Sequence, residues 1–498
     1  MLFKNTLIAL ILCAFFGYCK NEDAEDKTAR TYGLVAMAQS SAATNASATC
    51  KNCHSETSEL GRKILWAKEG WDESVHKNGY KGALWTKTGS NCSYNSTTKA
   101  WTCTDGTKPT FNDWSVIGYE WHGSDAFYSN GGGCQRCHTH EGFREFVETY
   151  NLNTTNYDAA IGTAAVKWPS NIGCFTCHSP HTNGSFDLLV KNGTTVTTNI
   201  GTTYNKAKGS LCASCHQIRG PSSTQTVNDY LIAALKGSGI STRSTAHHGP
   251  QADVLMGKGG AQEPSSTYGA YSNSRHTTET GADCITCHQV YDSNTSTAER
   301  YGLSAAVGGH AFAVTGIVHG AESAIAIGCA TSGCHTVPTG STANSSFAKK
   351  ATTDDGMIRK GDAYLQTGSS AYYTQLNTTF KALANPDDVS GSNTGCTGLL
   401  SKAATAAGTK ITWATLADGV TIDPRCDPSS LTTLKDSSAG NDSNSTRFAR
   451  AYWNFMLVKE DKSKGVHNYK YLSELLYDSC EDLKKILSDT TTSCGTRP

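Results

Sequence analysis

The sequence predicts a mostly irregular chain with short α-helices and a small β-hairpin, organised around something other than a large aliphatic core. Three observations lead there. Only 38% of the 498 residues are hydrophobic, and stretches such as "SSAATNASAT" and "DSSAGNDSNST" read as solvated loop, so the chain has little material for a large ordinary core. Short strings of cysteine and histidine recur between residues 50 and 335, with intervening segments too short and polar to bury cores of their own. Helical periodicities are brief where they occur: "SELGRKILWAKE", "EGFREFVETY" and "VNDYLIAALK". The balance of 43 basic and 43 acidic residues gives no pull toward nucleic acid or acidic lipid.

In chain order, the N-terminus "MLFKNTLIALILCAFFGYCK" carries an early lysine and an apolar run from Leu7 to Tyr18. That is too short for a membrane span and reads as an export signal over 1–19, with no transmembrane span left in the mature chain. Cys19 before the polar tether "KNEDAEDK" suggests a lipoprotein-type signal; cleavage after "AMA" near Ala38 is the alternative. Residues 20–49 form a flexible lead.

The 20 cysteines carry the chemistry. Ten lie in five Cys-x-x-Cys-His strings: Cys50/Cys53/His54, Cys134/Cys137/His138, Cys174/Cys177/His178, Cys212/Cys215/His216 and Cys284/Cys287/His288. Chance at this composition predicts about 0.03 such strings. The spacing suits covalent haem: two thiols form thioethers to the vinyl groups, and the adjacent histidine becomes the proximal iron ligand. Zinc would need paired motifs converging on four ligands, with no call for a histidine after every second cysteine. A redox dithiol would normally occur once.

"GCATSGCHTVP" resembles the same site with two extra residues, Cys329…Cys334-His335. A tight disulfide loop is the competing reading. Haem attachment gives His335 a role and leaves six cysteines in three local pairs, Cys92 with Cys103, Cys396 with Cys426, and Cys480 with Cys494; export permits disulfides. Gly333 gives the loop freedom to bulge. The expectation is six haem c groups spread over residues 50–345.

Sixteen histidines and only five methionines point to bis-histidine ligation. Distal candidates are His76, His122, His181, His248 (with His247 as rival), His276, His310 and His467; His140 and His319 are weaker. Filling both axial positions leaves no open iron and favours a low potential. The reading is therefore electron transfer rather than catalysis.

A Trp/Tyr-rich, hairpin-like insertion occupies 80–120. Residues 350–440 read as a loop-rich, disulfide-tied insertion. Within 441–498 two helices are expected, "RFARAYWNFMLVKED" and "YKYLSELLYDSCEDLKKILSD", with Leu472, Leu475, Leu476, Leu483 and Leu487 at helical spacing for packing on the core.

The strings "CQRCHTHEGF", "CFTCHSPH", "HHGPQADVLMGKGG", "SRH…CITCH…GGHAF" and "DKSKGVHNYKYLSELL" together resemble the extracellular cytochrome nanowire group. The resemblance is to the outer-surface cytochrome E type, and more distantly to the hexahaem type S, over roughly residues 120–320 and 445–480. It implies coil packed around a continuous haem chain, with subunits joined end to end in a helical homopolymer. At least one iron would take a histidine from the next subunit. Type E members carry four haems, so the Cys50 and Cys329 sites are departures, as is the 350–440 stretch. The implied partners are copies of itself, other cytochromes and extracellular electron acceptors, at the cell surface or outside it. A monomeric periplasmic or lipid-anchored carrier is the alternative. "GVHN" also resembles the C-terminal part of multihaem nitrite and hydroxylamine enzymes, which makes an oxyanion reductase the third reading; the lysine variant of the motif that often marks an open iron does not occur.

Overall fold

The computed structural model describes parts of 64–76, two strands within 92–103 and, with short breaks, residues 135–157, 172–179, 187–289, 308–324, 371–384, 396–414 and 427–498. The signal and lead, Cys50, Cys53, His54, His122, Cys134, His181, His248, Cys329, Cys334, His335 and Cys426 lie outside the described residues.

The architecture is mostly irregular chain punctuated by short helices and small antiparallel strand pairs, as composition predicts. Strands β1 (Cys92–Asn95) and β2 (Ala100–Cys103) pair in a register that sets Cys92 opposite Cys103. One-turn helices follow at α1 (Gln135–His138) and α3 (Cys174–Cys177), flanking the longer α2 (His140–Glu148). Then come β3 (Val196–Thr197), β4 (Thr203–Tyr204), α4 (Ser210–Ala213), α5 (Val227–Lys236), α6 (Gln251–Leu255), α7 (Arg275–Thr278) and α8 (Cys284–His288). A 3-10 turn at Gly309–Ala311 precedes the β5 (Thr315–Val318) and β6 (Ala321–Ala324) hairpin. The chain closes with α9 (Ala371–Ala384), α10 (Leu399–Ala406), the pair β7 (Ile411–Ala414) and β8 (Asp427–Leu431), α11 (Asn444–Asp461) and α12 (Tyr469–Leu487). Among the described residues no helix is long and apolar enough to cross a membrane.

Local chemistry explains the longer helices. Thr226 caps α5 by accepting from Asp229 N, and the buried Val227, Leu231 and Leu235 recur every four residues. Ser443 accepts from Thr446 N to start α11, and Asn468 accepts from Tyr471 N to start α12. Both helices end on a left-handed residue, Lys462 and Ser488, which closes the last turn.

The 350–440 stretch differs from its loop-rich expectation. Leu376, Phe380 and Leu383 of α9 and Leu399, Leu400, Ala403 and Ala404 of α10 are buried in one cluster with Trp453, Phe455 and Leu457 of α11 and with Leu472, Leu475, Leu476 and Leu483 of α12. Phe380 and Phe455 stack with ring centres 4.7 Å apart. The chain thus does build one ordinary apolar core, concentrated at its C-terminal end. Cys480 is bonded to Cys494, tying the tail to α12. Cys396 is also disulfide-bonded.

A second, smaller cluster of Phe143, Phe146, Tyr157, Val190, Val196, Tyr204, Ala213, Ala252 and Leu255 packs against Leu211, Cys215 and Cys284. It supports the cysteine-bearing helices.

The main cluster is pinned by charge as well as by area. Asp482 accepts from both Arg447 Nη1 and Arg450 Nη2 at 2.7 Å, with the Arg450 side chain 2% exposed. Removing one partner from a buried pair leaves the other charge uncompensated. Asp482→Asn should therefore cost about 3–5 kcal/mol of unfolding free energy, read as a lower denaturant midpoint.

Candidate metal centres

Each Cys-x-x-Cys string that is described in full sits at a turn of helix, which puts residues i and i+3 on the same face. Cys174 and Cys177 lie on α3, and Cys284 and Cys287 on α8; Cys212 is on α4, with Cys215 just beyond its end. Asp283 caps α8 by accepting from Thr286 N and from Thr286 Oγ1, both at 2.9 Å. Gly209 precedes α4 with φ +83, and a Cβ there would stand 3.1 Å from Cys284 Sγ and 2.8 Å from the Tyr204 hydroxyl. Only glycine combines that backbone with so close an approach.

The motifs converge. The Cys212 thiol is hydrogen-bonded to Cys284, and the Cys215 thiol to Cys137. Tyr204, fully buried, places its hydroxyl 3.3 Å from Cys284 Sγ. The string at 212–216 thus lies against those at 134–138 and 284–288, and Cys177 of the string at 174–178 is also close enough to act on both of its thiols.

Four motif histidines are described, and each faces a histidine from another part of the chain. His138 faces His247 with ring centres 6.3 Å apart, and His178 faces His310 at 6.2 Å. His288 faces His467 at 6.2 Å, and His216 faces His76 at 5.9 Å. A metal–imidazole bond runs about 2.0–2.1 Å and the ring centre lies about 1.1 Å behind the nitrogen, so two trans imidazoles on one metal stand about 6.2 Å apart. The pairs fit a metal held axially. Among the described residues no group of three His, Cys, Asp or Glu is placed to hold a metal ion.

The other ring nitrogen of several histidines is committed to an acceptor, which fixes tautomer and orientation. His288 Nδ1 donates to Phe312 O at 2.9 Å, His216 Nδ1 lies 3.0 Å from Gln251 Oε1, and His467 Nδ1 lies 2.7 Å from Asp461 Oδ1. Gln251 is itself aimed by donating to Glu460 O at 3.0 Å. Burial holds His76, His288 and His310 down to about 4, with neighbouring imidazoles adding to the effect, and lowers His216. In all four, burial thus favours the neutral form. Burial pulls His467 the same way, but the charge and hydrogen bond of Asp461 hold it above the ordinary imidazole range.

Several sequence-predicted ligands take unexpected partners. His310 faces the motif histidine of the third string and His76 that of the fourth; the stretched site that His310 precedes and the first string that His76 follows lie outside the described residues. The fifth string faces His467; His276, which precedes it, directs Nδ1 to Val466 O at 2.6 Å. His247, the rival to His248, faces His138 from a left-handed backbone conformation at φ +65, while His248 lies outside the described residues. Asp461, Gln251 and Phe312 were not singled out by the sequence. Their signal is positional: Phe312 follows His310 by two residues, and Asp461 closes the helix before His467. Comparison with protein-family models, curated proteins and solved structures finds no match.

One carboxylate holds the loop that follows the fourth string. Asp253, buried, accepts from Ile218 N and Thr198 Oγ1, each at 2.7 Å. Asp253→Ala would strand both donors, and the expected loss is about 3 kcal/mol, seen as a lower urea midpoint; Asp253→Asn should lose clearly less.

Proposed function

We propose that this chain is a multihaem c-type cytochrome that carries electrons along a series of six bis-histidine haems. The observation that carries the reading is the opposition of His138, His178, His216 and His288 to His247, His310, His76 and His467, at ring separations of 5.9–6.3 Å. In this reading Cys137, Cys174, Cys177, Cys212, Cys215, Cys284 and Cys287 hold the groups together with Cys134, and Cys50/Cys53 and Cys329/Cys334 hold two more. When bound, haem supplies one-electron iron chemistry at a potential that its axial ligands and their partners tune. The protein residues exclude water, fix the imidazole tautomers and keep successive attachment strings in contact.

Paired imidazoles support electron transfer over oxyanion reduction, because both axial positions are taken. The extracellular filament rests on the motif resemblance, with the export signal in accord; copies of the same chain and external acceptors are then the partners. Two measurements test the proposal. Haem stoichiometry with the mature mass should give six haems; five haems plus one extra disulfide would remove the Cys329/Cys334 site, and none would end the cytochrome reading. Electron microscopy of purified material should show filaments, whereas monomers under all conditions would leave the periplasmic or lipid-anchored carrier. His467→Ala should convert one low-spin haem to high spin in magnetic spectra while the haem count is unchanged.

A further inference from the structure

The histidine pairs differ in what stands behind them, and the difference bears on the haem reading just proposed. Behind His467, Asp461 Oδ1 lies 2.7 Å from Nδ1. Asp461 is 1% exposed, and its second oxygen accepts from Ser463 Oγ. Its carboxylate is thus screened little by solvent and shared between Ser463 and His467. Across from His467, His288 Nδ1 donates to the Phe312 carbonyl at 2.9 Å. Both rings of this pair have an acceptor, and one acceptor is a buried carboxylate.

The neighbouring pair has less. His216 Nδ1 meets only the neutral amide oxygen of Gln251 at 3.0 Å. His76 Nδ1 is buried without a hydrogen-bond partner among the described residues. Its ring lies against Trp71, stacked at 6.1 Å, and Phe312, edge-on at 5.1 Å. The two pairs are adjacent, since their attachment strings meet through Cys212 and Cys284.

A carboxylate accepting the Nδ1 proton makes the imidazole a stronger donor through Nε2, and a stronger axial donor favours ferric over ferrous iron. An imidazole with no acceptor behind it lacks that enhancement. We propose that Asp461 acts as a positioning and tuning residue through His467, setting the His288–His467 site at a lower reduction potential than the adjacent His76–His216 site. Each couple is a one-electron change of iron between its ferric and ferrous states. The Nδ1 proton remains between His467 and Asp461 throughout, so no proton donor is needed. The junction between the two sites thereby acquires a direction, downhill toward His216.

The test is a spectroscopically monitored potentiometric titration of the full-length holoprotein. Asp461→Asn keeps the shape and an acceptor oxygen but removes the charge. One component should rise by roughly tenfold in its reduction equilibrium, about 59 mV for one electron, with every haem still low-spin and the near-infrared band of that component displaced. Asp461→Glu should return most of the shift. Ser463→Ala withdraws a competing donor from the carboxylate and should move the same component the opposite way, a sign that loss of folding does not produce. Unchanged potentials in Asp461→Asn with all haems low-spin would overturn the proposal. So would shifts of the same sign in Asp461→Asn and Ser463→Ala. Absence of haem or of low-spin signals in the unsubstituted protein would instead overturn the parent reading.

Discussion

Opposed imidazoles about 6 Å apart are the constraint around which the described chain is arranged. A separation repeated at four places, each time between a motif histidine and one from a remote segment, does not follow from any local preference of the backbone. Each pair needs two segments delivered from different directions with their rings facing. The strings set their cysteines at or beside a turn of helix, which carries His138 and His288 within it and leaves His178 and His216 just past its end. The other ring arrives on irregular chain: a 3-10 turn bounded by the left-handed Gly308 and Phe312 for His310, a left-handed residue for His247, and the link between α11 and α12 for His467. Irregular backbone is what allows so many rings to be aimed independently, and it explains why regular elements stay short near the motifs.

Irregular chain needs something rigid to hang from, and the C-terminal core supplies it. The α11–α12 pair, with α9 and α10 packed beside it, buries Trp453, Phe455, Leu475 and Leu476 almost completely. Its polar contacts reach outward to the site. Asn454 Oδ1 accepts from Ala261 N at 2.8 Å, Trp453 Nε1 donates to Gly259 O at 2.8 Å, and Asn468 Oδ1 accepts from Ser274 N at 2.9 Å. These bonds fix the segment between α6 and α8. The same helix end that carries Asp461 also aims Gln251 at His216, so two histidine pairs are oriented from one element. Burying these donors without partners would cost about 1–3 kcal/mol each, which holds the segment in a single arrangement.

What the sequence made legible follows the range of the interactions involved. The five strings stand out because their pattern lies within five consecutive residues, and the turns of helix at 174–177 and 284–288 that carry two of them are equally local. Helices at 227–236, 444–461 and 469–487 are legible because their caps and apolar spacings are local. The helix at 371–384 was not, since "AYYTQLNTTFKALA" mixes threonine, asparagine and tyrosine with few aliphatics. Its Leu376, Phe380 and Leu383 stripe gains meaning only against α12. His76, His310 and His467 stood out in the sequence as histidines of interest, while which motif histidine each one faces, His216, His178 and His288 respectively, depends on tertiary packing. Proximity in sequence pointed to His276 for the fifth string, and the chain instead brings His467, nearly 180 residues further on, to face His288.

Order along the chain is likewise a poor guide to order in space. The string at 212–216 meets Cys137 through Cys215 and Cys284 through Cys212, so its two sulfurs face two different neighbours. Cys177 of the string at 174–178 also lies near both of its thiols, so three strings that are 38 to 78 residues away along the chain gather around it. A linear path laid out by residue number would miss that 212–216 is a junction rather than one link among several. The consequence is physical. A residue at that junction, such as Gly209 or Tyr204, touches the approach of two strings at once. Changes there act on the spacing between sites, whereas changes at Asp461 or Gln251 act on one imidazole within a site. The spacing of the strings and the orientation of each imidazole are therefore governed by different residues of the same fold.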